Sequence, residues 1–227
     1  MNTKNILEFL ETIAQNNNRQ WMADNKAWFL ECKADFDDFS QQFLDRMKDV
    51  DSRLNPLTLK DCVYRFYRDI RFSPDKSPYK NHFGTILAPY GGRKSINGCY
   101  YLHLQPSNLM LCGGVWCPDG QLTKMLRQSC YDNETELDEI MTNPDFVEFF
   151  GGRFDDFDTL KVMPTGFPKD FAHPDWLKRK SFTITHYFTH EEACKNDFID
   201  NVVRVATAAM PLNLFLDYTV DGFNGRG

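Results

Sequence analysis

The chain has 227 residues, 42% of them hydrophobic and 26% charged, with a formal net charge of −6. That length supports one large domain or two small ones with a real core, and the composition excludes a disordered chain. The acidic balance excludes a dedicated nucleic-acid binder, which needs a broad basic surface.

Aromatic residues reach 15%, with 20 Phe, which predicts a core built on phenylalanine. The seven cysteines form no C-x-x-C pair, so we expect reduced, mostly buried thiols, with no zinc knuckle and no redox dithiol. Lys4, Glu8 and Glu11 interrupt the N-terminal apolar run, and no window approaches a membrane span, so a cytoplasmic protein without membrane contact is expected.

In chain order, residues 4 to 15 read as a helix capped by Thr3 and ended by Asn16, Asn17 and Asn18. Residues 19 to 50 read as a second helix. Trp28, Cys32, Phe36, Phe39, Phe43, Met47 and Val50 form its apolar stripe, and Glu31, Asp35, Asp38, Asp45 and Asp49 lie opposite. From residue 62 to 72 the period changes to two, with Tyr64, Phe66, Arg68, Ile70 and Phe72 on one face, predicting a strand through about Tyr67 that breaks up before Ser73-Pro74. A helical reading of the same stretch would instead gather Arg65, Arg68 and Arg71 on one side.

Three short β-prone runs follow, 83 to 88, 99 to 105 and 109 to 115, predicting an antiparallel meander. A helix is expected from Pro118-Asp119-Gly120 to about Tyr131. Another near 134 to 142 has Asn133 and Glu136 at capping-box spacing. Residues 143 to 180 read as irregular, and 181 to 188 as a strand. Thr189 and Glu192 then cap a helix that Pro211 breaks or kinks just past Met210. The expected architecture is one α+β domain over 1 to 227: an N-terminal helical hairpin (1 to 55) and a C-terminal helix packed on a central, mainly antiparallel sheet. The sheet comes chiefly from the 62 to 116 meander, and 117 to 227 is mixed helix, loop and strand.

The functional candidate is the stretch 65 to 94, which concentrates Arg65, Arg68, Arg71, Lys76, Lys80, Arg93 and Lys94 against only Asp69 and Asp75. Guanidinium forks match carboxylate or phosphate oxygens two bonds at a time, so the block suits a small anionic, phosphorylated ligand. Tyr101 and His103 project from one face of the 99 to 105 run beside Gln105, which makes Tyr101 a ligand-binding candidate and His103, with Asp69, a candidate general acid or base on a phosphate ester. The competing reading is a scaffold, in which Asp69, Asp75 and acids of the hairpin pair the arginines. Gly91-Gly92-Arg93-Lys94-Ser95 fails the P-loop pattern, and His186 with His190 lacks a third ligand, so neither a metal nor a cofactor is expected.

The block RFYRDIRFSPDKSPYK, with GGRKS, GCYYLHLQP, GGVWCP and GFPKD, resembles domain of unknown function family 2461, widespread and mostly bacterial conserved hypothetical proteins, over residues 5 to 216. Arg65, Arg68, Asp69, Arg71, Phe72, Asp75, Lys76, Pro78, Tyr79 and Lys80 match its most specific motif. The resemblance implies a single-module cytoplasmic protein and carries no activity with it.

Overall fold

A computed structural model describes residues 1–226. The chain opens with α1 (Thr3–Gln15), α2 (Arg19–Asp24) and α3 (Lys26–Val50). Asn2, not Thr3, caps α1 by accepting from the Asn5 N–H. The helix expected over 19 to 50 is broken at Asn25, whose side chain donates to the Trp21 carbonyl and competes with the helical ladder. Cys32, Phe36, Phe39, Phe43 and Met47 of the α3 stripe are buried, as the spacing predicts.

After the short α4 (Leu59–Cys62) come four strands, β1 (Phe83–Leu87), β2 (Cys99–Gln105), β3 (Asn108–Val115) and β4 (Phe182–Tyr187), in that spatial order and all antiparallel. The α+β architecture with terminal helices around an antiparallel sheet is therefore as expected.

The strand expected from residue 62 through about Tyr67 does not form as a regular strand. Val63 bridges Thr85, Tyr67 bridges Tyr79, and Arg68 N–H donates to the Pro78 carbonyl, but no continuous ladder results. The returning partner, residues 74 to 80, contains Pro74 and Pro78, which have no N–H to give to a ladder. Alternation holds as far as buried Phe66 and then fails, leaving Phe72 94% exposed.

Between β3 and β4 lie α5 (Gly120–Asp132), α6 (Glu134–Thr142), α7 (Pro144–Phe150) and α8 (Pro174–Lys178). The last two sit in the stretch expected to be irregular. Asn143 caps α7 and Pro144 occupies its first turn, a start signal written in the sequence. Asn133 makes no side-chain cap to α6 and donates instead to the Ser129 carbonyl.

Thr189 and Glu192 form the expected capping box, but on a single turn, α9 (His190–Ala193). The final helix, α10 (Phe198–Phe223), runs straight through Pro211 rather than ending before it. An interior proline costs about 3 kcal/mol. The second half of α10 buries Leu212, Phe215, Leu216 and Val220, each worth about 1.5–3 kcal/mol, so burial outweighs the lost backbone bond.

Register decides what each sheet face carries. Phe83, Leu87, Tyr100, Leu102, Leu104, Leu109, Leu111, Val115, Phe182 and Ile184 are buried on the helix-covered face, and α10 packs so closely there that a Cβ on Gly113 would touch Ala209. The opposite face carries the rows Ile86–Tyr101–Cys112–Thr185 and Gly84–His103–Met110–Tyr187, and among the described residues no helix lines the groove over it. Among the described residues, no helix is long and apolar enough to cross a membrane.

Candidate functional site: the open face of the sheet

The uncovered face forms a groove of about 670 Å³, bounded by Tyr64 and Lys80 at the β1 side and by Asp155, Phe157 and Trp116 at the β4 side. Trp116 and Tyr187 are 64% and 65% exposed, so flat apolar surface faces solvent here. Tyr64 reaches the groove because its N–H donates to the Gly84 carbonyl, adding an irregular outer rung to β1. Its ring stands nearly perpendicular to Tyr101, centroids 6.0 Å apart.

The floor is a hydrogen-bonded line along β2. Gln105 Oε1, an acceptor, lies 3.1 Å from His103 Nε2, so that nitrogen carries the proton. Nδ1 of the neutral ring must then accept, and Tyr101 O–H donates to it at 2.8 Å. Burial depresses the basicity of His103, and it raises the Tyr101 phenol above its ordinary value, so both stay in these forms at neutral pH. His103 stacks on His82, centroids 4.5 Å apart. The His82 imidazole is pushed down to about 4 by burial, with His103 and Lys80 adding to the effect. His103 is only 7% exposed with both nitrogens engaged, so it orients Tyr101 and leaves the phenol oxygen free to accept from the groove. Gly84 makes this possible, because a Cβ there would sit 2.9 Å from the Tyr101 oxygen.

Lys80 is half-buried and stands 5.0 Å from the centre of the Tyr64 ring. Burial first, then Arg65 and Arg93, lower its pKa. At the far end Asp155 Oδ2 accepts from Thr185 Oγ1 at 2.9 Å, and Cys112 Sγ lies 3.3 Å from the same hydroxyl. Burial raises the Cys112 thiol to about 11, so it is no nucleophile at neutral pH.

The other cations singled out by the sequence are placed differently. Arg71 forks onto Asp69 at 2.7 and 3.0 Å, both exposed. That contact holds Asp69 down to about 2, which makes it a weak base, and Asp69 does not line the groove. Arg68 pairs with Asp75 and reaches the Ser77 carbonyl. Lys76 donates to the Ile70 carbonyl at 3.0 Å. Arg93 donates to the carbonyls of Lys60 and Asp61 at 2.6 and 3.2 Å. Gly92 serves that contact, since at φ +57° a Cβ would lie 2.4 Å from the Asp61 oxygen. The side chains of Arg65 and Lys94 make no hydrogen bond or ion pair among the described residues.

The fold thus brings Lys80, Tyr101 and His103 together and leaves the arginines at the periphery. The scaffold pairings stay inside the loop; the segment is tied to the helical end by Asn17, which exchanges bonds of 2.9 and 3.1 Å with the Tyr79 backbone, and by Phe66 packed on Phe9 and Phe29. Tyr64, Trp116, Asp155, Phe157 and Tyr187 escaped the sequence reading. Alternation along β4 pointed to Tyr187 and Thr185, whereas nothing local marked Asp155. Among the described residues, no group of three His, Cys, Asp or Glu side chains is arranged to hold a metal. His186 and His190 each contact a backbone carbonyl, of Phe149 and Pro106.

Helices over one sheet face and an open aromatic groove on the other define the class of protein. The family described as "Conserved hypothetical protein (DUF2461)" matches residues 5–215, and the chain belongs to it. No curated protein and no solved structure matches the chain.

Proposed function

We propose that the protein binds a small anionic ligand, such as a phosphate ester, in the groove on the open sheet face, with Lys80 as the anchoring cation. One observation carries this reading: of the seven basic residues in the block, Lys80 alone lines the groove, and its ammonium has no hydrogen-bond or ionic partner among the described residues. A half-buried ammonium held beside other cations is unfavourable until an anion arrives, so binding recovers what folding leaves unsatisfied. Tyr64 and Tyr101 supply a ring face and a phenol oxygen beside it. Arg65 and Arg93 add a positive field that draws the anion in without touching it.

Isothermal titration with phenyl phosphate, benzoate and inorganic phosphate tests the proposal. A hydrogen bond to a charged group is worth about 1.5–3 kcal/mol, so Lys80→Met is expected to weaken binding at least tenfold. Arg68→Ala, whose guanidinium is committed to Asp75, is expected to leave affinity unchanged. Full affinity in Lys80→Met sinks the proposal.

A further inference from the structure

The groove carries a second unpaired charge of the opposite sign. Asp155 faces it from the β4 side, with Oδ2 bonded only to the Thr185 hydroxyl. The neighbouring cations are spoken for: Arg179 binds Asp156 at 2.9 Å and the Asp155 carbonyl at 2.6 Å, and Lys180 binds Asp158 at 2.6 Å. Asp155 itself forms no ion pair among the described residues. Lys80 cannot neutralise it, because Lys80 lies over Tyr64 beyond β1 whereas Asp155 lies over Thr185 on β4. Strand spacing of about 4.8 Å separates these backbone rungs by on the order of 15–20 Å, and even with both side chains reaching inward the charges stay about a Debye length apart, too far for an ion pair. Between them lie Tyr101, Met110, Trp116 and Tyr187, an apolar and partly aromatic floor.

We infer that the ligand is bipolar, with an anionic group at Lys80, a flat apolar middle over the β2–β3 floor and a cationic amine at Asp155. This rests on the anion site proposed above and narrows its ligand to a zwitterion with an aromatic or similarly flat spacer. Side chains reaching inward from both ends leave a gap on the order of 10 Å between the poles, close to the span of an aminoethyl-substituted aryl phosphate. Each pole alone gains one contact; a molecule carrying both gains the second without losing further freedom of translation.

Titration calorimetry of the full chain with O-phosphotyramine and with 4-ethylphenyl phosphate, the same shape without the amine, isolates the second pole. O-phosphotyramine is expected to bind at least tenfold tighter. Asp155→Asn, which keeps an acceptor for Thr185, is expected to equalise the two; Lys80→Met is expected to weaken both. Equal binding of the two compounds by the wild-type protein overturns the inference and leaves the anion site standing, and that comparison needs no variant to fold. An advantage that survives in Asp155→Asn also overturns it. Failure of both compounds to bind removes the anion site, and this inference with it.

Discussion

Two regions of the molecule concentrate charge, and they do so in opposite ways. In the loop from Arg68 to Asp75 the charges are close in sequence, reach solvent and pair with near neighbours, as Arg71 does with Asp69 and Arg68 with Asp75. At the other, Arg53 lies between two carboxylates, 2.7 Å from Asp51 and 2.7 Å from Asp217, which are 4% and 1% exposed. Tyr100 O–H donates to Asp51 at 3.0 Å and Gly98 N–H to Asp217 at 2.6 Å. This cluster joins the end of α3, the start of β2 and the middle of α10. Burial works against Asp51, but the Arg53 and Tyr100 contacts prevail and hold it below the usual carboxylate range. Asp217 is more deeply buried, and there burial prevails and lifts the carboxyl to about 6. Charge density along the chain marks the first region and is silent about the second. Desolvation decides which one the fold depends on.

The largest effect that tests this contrast comes from Arg53→Met, which strands two carboxylates in the interior. Breaking a buried ion pair costs about 3–5 kcal/mol, and for a chain of this size calorimetry should show the melting temperature falling by roughly 10 °C. A fall no larger than that of Arg68→Ala would erase the distinction.

An intermediate effect is expected from pH. His82 sits at about 4 when folded, mainly through burial, against about 6.5 in the unfolded chain. The unfolded state therefore binds the proton first as pH falls. The contribution is complete above about pH 6.5 and is lost progressively toward pH 4. Between pH 7 and 4.5 the wild-type melting temperature should fall further than that of His82→Gln, by roughly 5 °C, for a difference of ~2 kcal/mol. Asp217 acts with the opposite sign in part of this window, but it is common to both proteins and cancels in the comparison. Parallel profiles would show that His82 is not held neutral.

The smallest effect belongs to Arg68→Ala. Its partner Asp75 is exposed, so the melting temperature is expected to stay within roughly 2 °C of wild type. A sharp fall would restore the scaffold reading of the arginine block and bring the two regions together.

Much of the fold was legible from local pattern. The α3 stripe, the β2 alternation, the β-prone run of β3 and the Thr189–Glu192 cap all depend on neighbours within a few residues, and each appears where the pattern put it. The failures share a cause. The strand expected through about Tyr67 met a partner interrupted by Pro74 and Pro78, and the α10 proline was overridden by side chains packed from β3 and α5. Both outcomes depend on residues far along the chain.

The candidate site divides the same way. Sequence alone determined that Tyr101, His103 and Gln105 share a strand face, because side chains alternate by covalent geometry, and that basic residues cluster between 65 and 94. Only the tertiary structure decided which unpaired cation lines the groove and which distant carboxylate lies at its other end. Pairing and burial belong to three-dimensional neighbours: Lys80 meets Tyr64 across a turn, and Asp155 meets Thr185 on a strand that begins 27 residues later.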